Sequence, residues 1–235
     1  MSTKKIDMSS FNPFLIFVFL LFSGSISTRI SLSGNDWFVS DGQSLHATGA
    51  VPGTIHTILS SARMIDEPYW SFGDVVLRPL IYRSWTFTKQ FSLEEDFLNL
   101  SQFTIHFDQI DTIASVVLNQ CFLGNTSSMF FAYTFNVIRT CLRNNNTLRI
   151  NFTSPVIYAR DQAIDYDRPL LPLCPDPVQQ GECYVQFIRK EPCSFAWDWA
   201  SLGSSLRILR SFLLSSNRVQ LSHLWVYLEM SILME

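Results

Sequence analysis

Near the end of the chain, two tryptophans flank an aspartate in a combination that suits sugar binding. The stretch CSFAWDWAS covers residues 193–201 and contains Trp197, Asp198 and Trp199. An indole ring can stack on the apolar C–H face of a pyranose, and a carboxylate can accept hydrogen bonds from two sugar hydroxyls. In a regular strand, however, both tryptophans point to the same side, which is also the pattern of a sandwich core. The three residues alone leave a sugar site and core packing both open.

The cysteines around this stretch indicate an oxidising environment. There are five in the chain, and Cys174 and Cys183 flank a loop that contains proline and glycine. Their separation favours a bridge that stabilises the loop by about 2.5 to 3 kcal/mol, with two free thiols as the alternative. Cys193 competes for either partner. Cys121 and Cys141 lie near predicted strands, and we expect buried thiols there rather than a second bridge.

The N-terminus has the three parts of a secretory signal. Lys4 and Lys5 are followed by the apolar run FLIFVFLLF at 14–22 and by the small residues SGSIS at 23–27. A membrane anchor or a buried strand is the alternative, but the run is shorter than the roughly 20 residues that cross a bilayer. We therefore predict a signal peptide over residues 1–27, entry into the secretory pathway and no membrane attachment after cleavage.

Four sequons agree with that compartment, because N-glycans are added to Asn-X-Ser/Thr in secreted proteins. The candidate asparagines are Asn99, Asn125, Asn145 and Asn151. The formal net charge of −3 argues against a nucleic-acid partner, which normally leaves a basic footprint. No phosphate-binding glycine loop and no His–Cys spacing typical of zinc occurs in the sequence, so we expect neither a cofactor nor a metal.

The elements that position these residues are predicted to be mostly strands. From Tyr82 the sequence alternates, as in YRSWTFTKQFSL and FTIHF, and turns separate the short alternating runs, as Asn119-Gln120 does. This pattern is typical of an all-β antiparallel sandwich. One short helix is expected after Thr54, its N-cap. Five prolines between 155 and 177 predict a long surface excursion, and the stretch after Ala200 reads as irregular or helical.

The acidic residues do not form a recognisable hydrolytic pair. The run Glu94-Glu95-Asp96 lies between predicted strands and is typical of a solvated turn. Glu182 and Glu191 are expected to be surface groups or salt-bridge partners. His106 alternates with the phenylalanines of its strand, so we expect it on the opposite face from them. Nothing in this set provides a nucleophile with its base.

Five stretches, taken in order, point to a family. They are GAVPGTIHTIL, DEPYWSFGD, YRSWTFTKQF, SVVLNQCFLG and the cysteine loop CPDPVQQGECYVQFIRKEPCSFAWDWA. Together they resemble the N-terminal part of the animal lysosomal β-mannosidases, a family within glycoside hydrolase family 2. The resemblance covers roughly residues 31–200, and the cysteine loop through Trp199 is its most specific part.

The resemblance implies a galactose-binding-like jelly-roll sandwich as the first domain. In the family an immunoglobulin-like domain follows, and then a barrel with two catalytic glutamates that removes terminal, non-reducing β-D-mannose from glycoprotein-derived oligosaccharides with retention. It further implies that Trp197, Asp198 and Trp199 help bind the mannose of a β-mannoside oligosaccharide in the −1 subsite. It also implies a Cys174–Cys183 disulfide and a lysosomal location for the parent enzyme.

After Ala200 the sequence departs from the family, so the predicted domains are 1–27, 28–200 and a divergent tail, 201–235. We expect the closing strand of the sandwich to be missing. A barrel takes about 250 residues, which this sequence does not hold, so we expect a truncated chain without hydrolytic activity of its own. The alternative is a stand-alone secreted module, either carbohydrate-binding or structural. A misfolded chain would be retained in the endoplasmic reticulum. The sequence does not indicate an oligomeric state.

Overall fold

Two antiparallel sheets form a β-sandwich in the computed structural model, which describes residues 27–68, 70–166, 168–175, 181–195 and 207–217. The strands are β1 (Ser27–Ser31), β2 (Gly34–Ser40), β3 (His46–Val51), β4 (Gly53–Thr54), β5 (Trp85–Ser92), β6 (Gln102–Asp111), β7 (Ala114–Leu118), β8 (Cys121–Thr126), β9 (Tyr133–Val137), β10 (Asn145–Phe152) and β11 (Arg207–Asn217). The predicted all-β sandwich is therefore confirmed.

One sheet has six strands in the order β3-β2-β5-β10-β7-β8. The other has the order β1-β11-β6-β9, with β4 paired to β11. All the described strand pairings in both sheets are antiparallel. The six-stranded sheet is the larger platform, and its two outermost described strands are β3 and β8.

Buried and exposed side chains alternate along the strands, and this alternation places the aromatic side chains between the two sheets. On β5, Trp85 and Phe87 are buried while Thr86 and Thr88 face outward and stay partly exposed. The buried indole N–H groups of Trp37 and Trp85 have acceptors, since Trp37 Nε1 donates to the Leu32 carbonyl at 2.9 Å and Trp85 Nε1 donates to the Leu80 carbonyl at 3.3 Å. An aromatic core of this kind is stable because each buried polar edge is paired.

A tight hairpin joins β7 and β8 and organises the disulfide beside it. Asn119 has a φ of +55°, which asparagine tolerates in a two-residue turn. Its amide donates to the Cys141 carbonyl at 2.7 Å and to Asn146 Oδ1 at 3.0 Å. These bonds hold Cys141 next to the hairpin, where it forms a disulfide with Cys121. The expectation of two buried thiols was wrong, because this proximity depends on tertiary packing.

Four α-helices lie within the described residues. They are α1 (Ile55–Ser61), α2 (Gly73–Val76), α3 (Glu95–Leu98) and α4 (Pro155–Tyr166), and short 3₁₀ helices span Arg78–Tyr82, Arg139–Cys141, Val185–Phe187 and Pro192–Phe195. Thr54 caps α1 as predicted, because its hydroxyl accepts from the Thr57 N–H at 3.0 Å. None of these helices is long and apolar enough to span a membrane.

The proline-rich stretch begins with a helix, which corrects the predicted surface excursion over 155–177. Pro155 is the first residue of α4, where a missing N–H leaves no helical bond unmade. The Ser154 hydroxyl accepts from the Ile157 N–H at 3.2 Å and donates to the Ile81 carbonyl at 2.7 Å. The serine thus starts the helix and ties it to the sandwich.

Strand β11 corrects the expectation of an irregular or helical tail without a closing strand. Its backbone pairs with β1 on one side and with β6 on the other. The register shifts between Leu209 and Phe212, which marks a β-bulge. A bulge breaks the alternation of side chains, so periodicity in the sequence did not reveal this strand. Residues 1–26 and 218–235 lie outside the described residues, so the signal peptide stays a prediction.

The disulfide of the hairpin generates a stability prediction. Replacing both Cys121 and Cys141 by alanine removes a cross-link between residues 20 apart in sequence. We expect the free energy of unfolding to fall by about 3 kcal/mol, from the chain entropy released in the unfolded state. Urea unfolding under oxidising conditions measures this difference. The matched control is Cys193→Ala, since Cys193 is exposed and unbridged. Equal stability of the double variant and the control would contradict the prediction.

Candidate functional site

The predicted sugar ligands Trp197, Asp198 and Trp199 lie outside the described residues, so their roles stay predictions. The structure does describe the segment that leads into them, residues 181–195, and strand β11, which follows at Arg207. We call residues 181–195 the lead segment. Its attachment to the sandwich determines where the chain enters the Trp-Asp-Trp stretch.

A fully buried ion pair anchors the lead segment. The Lys190 ammonium donates to Oδ2 of Asp111, the last residue of β6, and both side chains are 0% exposed. Asp111 Oδ1 also accepts from the Thr112 hydroxyl. Burying a charge without a partner is costly, so each group requires the other in place. The pair fixes the lead segment at one end of the five-stranded sheet.

Backbone contacts extend this anchor on both sides of Lys190. The Met129 N–H donates to the Arg189 carbonyl at 3.0 Å, and Ser128 and Arg189 form an isolated parallel bridge. The Glu191 N–H donates to the Met129 sulfur at 3.2 Å. Residues 189–191 therefore lie against the two residues Ser128 and Met129, just after β8, so the anchor does not depend on side chains alone.

A second ionic group holds the start of the lead segment. Oε1 of Glu182 accepts from Arg78 Nε at 2.8 Å, and the Tyr82 hydroxyl donates to Glu182 at 2.7 Å. Burial, followed by the neighbouring Glu182 carboxylate, raises the pKa of Tyr82 above its ordinary value of 10.0. Of the two expectations for Glu182, the salt-bridge partner is the one that the structure shows, because the residue is buried and is not a free surface group.

The lead segment is closed by a disulfide and a small apolar cluster. Cys174 is bonded to Cys183, and the Glu182 N–H donates to the Phe195 carbonyl at 2.8 Å, which joins the two ends of the segment. The cluster consists of Ile81, Val156, Ala159, Ile188 and Phe195. Phe195 is buried there, two residues before the first tryptophan. The stretch 196–200 thus starts from a fixed point on the protein.

The acidic residues singled out in the sequence are exposed or engaged with a neighbouring side chain. Glu94 and Glu95 are exposed at the start of α3, and Glu191 accepts from the Ser194 hydroxyl at 3.0 Å. His106 faces away from the core as predicted, with Nε2 at 3.0 Å from Asp108 Oδ1. Across the described ranges, no group of three or more His, Cys, Asp or Glu side chains is placed to hold a metal.

The sequon asparagines occupy different environments. Asn99 follows α3, Asn125 lies on β8 and Asn145 begins β10, and all three are exposed. Asn151 is half-buried on β10, the strand between β5 and β7. A glycan is most easily accommodated at the three exposed positions.

Sequence reasoning missed Asp111, Lys190, Arg78 and Tyr82 as supports of the site. Lys190 stands in the run RKEP, which looks like a solvated charge cluster. The partner of Lys190 lies 79 residues away, and spacing alone does not reveal it.

The fold is a two-sheet antiparallel β-sandwich with an anchored lead segment, and comparison with known proteins gives the family. Residues 36–209 match the family model described as "Glycosyl hydrolase 2 galactose-binding domain-like", and the chain belongs to this family. Beta-mannosidase of Bos taurus is 40% identical over 172 residues, which cover 72% of this chain and 19% of that protein.

Two further relatives agree. A probable beta-mannosidase of Caenorhabditis elegans is 30% identical over 201 residues, 84% of this chain and 22% of that protein. The crystal structure of beta-D-mannosidase from Dictyoglomus thermophilum superposes with a TM-score of 0.72 at 26% identity, covering 80% of this chain and 22% of that one. The chain spans about a fifth of the length of the curated relatives it matches.

The buried pair generates a prediction about the lead segment. Lys190→Met leaves the Asp111 carboxylate buried without its cation, and we expect a loss of about 3 to 5 kcal/mol in the free energy of unfolding. Urea unfolding measures the loss, and limited proteolysis after residue 181 reports detachment of the lead segment.

The double variant Lys190→Met, Asp111→Leu is the matched control. Because it removes both charges, we expect it to recover a large part of the lost stability. If the loss of stability in the double variant equals the sum of the losses in Lys190→Met and in Asp111→Leu, the two groups do not act as a pair.

Proposed function

We propose that this chain is the N-terminal sugar-binding domain of a β-mannosidase-type glycosidase. In this role Trp197, Asp198 and Trp199 bind the terminal β-D-mannose of an oligosaccharide, and the hydrolysis, with retention, takes place on a barrel like that of the family. The observation that carries the proposal is the 40% identity to a beta-mannosidase over 172 residues. The described structure supports it through the anchors that hold residues 181–195.

The chemistry of the stretch agrees with this role. Asp198 supplies a charge-assisted acceptor for two sugar hydroxyls, and the indoles supply apolar faces for stacking. A sugar site of this kind requires a rigid support, since a loose carboxylate loses binding energy to side-chain and loop ordering. The Lys190–Asp111 pair and the Cys174–Cys183 disulfide hold residues 181–195, which lead into the stretch, and this supports the proposal.

We further propose that the chain matures in the secretory pathway, and that its parent enzyme is lysosomal. The signal-like N-terminus, the four sequons and the two disulfides support this location. The exposed asparagines Asn99, Asn125 and Asn145 are the candidate glycosylation positions that the folded domain accommodates.

Mannose binding by the stretch is tested with one carboxylate exchange. We expect the chain to bind methyl β-D-mannoside weakly, with saturation-transfer NMR signals that Asp198→Ala abolishes, because the variant lacks the acceptor for the sugar hydroxyls. The control is Asp161→Ala, which removes an exposed carboxylate from α4. Equal signals from the two variants, or none from the unmodified chain, would exclude the proposed role.

The second test concerns hydrolysis by residues 1–235 alone. We expect no release of p-nitrophenol from p-nitrophenyl β-D-mannoside, because a retaining mechanism needs two carboxyl groups about 5 Å apart on opposite sides of the scissile bond. Among the described carboxylates, Glu182 and Glu191 are engaged with other side chains, and the acidic run at the start of α3 is exposed. An intact β-mannosidase serves as the positive control. Release that scales with the concentration of the pure chain would overturn this expectation.

A further inference from the structure

We propose that the outer face of the six-stranded sheet binds a neutral oligosaccharide laid across the strands. This site uses residues other than 197–199 and does not depend on sugar binding by that stretch, but it requires an Asn125 that carries no glycan. It consists of two neighbouring rows of side chains. We call them the polar row, Ser40, Thr86, Asn151, Ser115 and Asn125, and the aromatic row, Phe38, Thr88, Arg149, Val117 and Phe122.

The polar row follows directly from the strand register. Ser40 lies opposite Thr86, Thr86 opposite Asn151, Asn151 opposite Ser115, and Ser115 opposite Asn125. Since neighbouring strands are about 4.8 Å apart, the five side chains extend over roughly 19 Å. That length suits several sugar units in a line. Each residue offers a hydroxyl or an amide, and none is charged.

Burial shows that this row faces outward. The flanking residues Val39, Phe87 and Ile150 are fully buried, and side chains alternate between the two faces of a strand. Thr126, next to Asn125 on β8, is also buried. The polar row therefore lies on the opposite side of the sheet from the core, where it is accessible.

Hydrogen bonds set the centre of the row in one orientation. The Thr86 hydroxyl donates to Asn151 Oδ1 at 3.1 Å, and Asn151 Nδ2 donates to Ser115 Oγ at 3.3 Å. A primary amide has a second N–H, and the serine keeps its own O–H for donation. The polar row thus presents donors and acceptors together without a charge of its own, which suits the hydroxyl groups of a sugar.

A cavity of about 600 Å³ opens at the β8 end of the row. Its lining includes Ser84, Ser115, Asn125, Ser127, Asn151 and Tyr158, and none of the described lining residues is charged. Small-molecule sites usually have volumes of about 300 to 1,000 Å³. The cavity can therefore seat a sugar ring against amides, hydroxyls and one phenol ring.

The aromatic row supplies the apolar contact that a pyranose also needs. Phe38 is 44% exposed and Phe122 is 62% exposed, although both are large hydrophobic residues on strands. They stand at the two ends of the row, with Arg149 between them. The Arg149 guanidinium donates to the Asn119 carbonyl at 3.1 Å. Exposed aromatic faces beside a polar row are the combination that stacks and hydrogen-bonds a neutral sugar.

The experiment uses the chain produced in a bacterial periplasm, which forms disulfides and adds no N-glycan at Asn125. Mannotriose and chitotriose serve as neutral probes, and 3′-sialyllactose serves as the charged comparison, all titrated by calorimetry and saturation-transfer NMR. We expect saturable binding of a neutral trisaccharide. Asn125→Ala and Phe122→Ala should each weaken it about fivefold, through a lost hydrogen bond and a lost stacking contact.

Asn145→Ala is the matched control, because Asn145 is also an exposed sequon asparagine of this sheet but lies at the far end of β10. Its affinity should stay within twofold of the unmodified chain. The titrations are repeated in an Asp198→Ala background, which removes mannose binding by the Trp-Asp-Trp stretch, and the fivefold loss caused by Asn125→Ala should persist there. Absence of saturable neutral-sugar binding, binding of sialyllactose alone, or equal effects of Asn125→Ala and Asn145→Ala would each overturn the proposal.

Discussion

The contact between Lys190 and Asp111 is the constraint on which the rest of the candidate site depends. Both side chains are completely buried, so water cannot replace either partner. Removing two charges from water costs several kcal/mol per ion, and only a well-placed opposite charge offsets that cost. The pair therefore penalises any placement of the lead segment that separates the two charges.

The other contacts of the lead segment act around that fixed point. Glu182 is held by Arg78 and Tyr82, and the Cys174–Cys183 bond restricts the chain just before it. Phe195 then fills a small apolar cluster that is separate from the main core. Polar pairing, a covalent bond and apolar burial thus restrain different parts of one segment. This agrees with the common arrangement in which a rigid sandwich positions a functional loop.

The sequence predicts the parts of this fold that depend on local pattern. Alternating burial on β5 and β6, the Thr54 cap and the hairpin at Asn119 follow from residue type and spacing. It fails where distant contacts or irregular backbone decide the outcome. The Cys121–Cys141 bond and the Lys190–Asp111 pair join residues far apart in sequence, and a bulge hides the alternation of β11. For the candidate site, the sequence identifies the stretch but not its anchors.

Alternation of side chains along each strand determines which residues lie on the inner face of the six-stranded sheet and which lie on its outer face. Period-two alternation buries Phe87 and Ile150, and the same alternation forces Thr86 and Asn151 to the other side. Burial requires only apolar residues of suitable volume on the inner face. If exposure to solvent were the sole requirement, lysine or glutamate could also occupy the polar row, yet all five positions carry small neutral side chains. An exposed phenylalanine such as Phe122 also does not improve the solubility of an edge strand. The neutral polar row and the two exposed phenylalanines beside it therefore fit a neutral, partly apolar ligand.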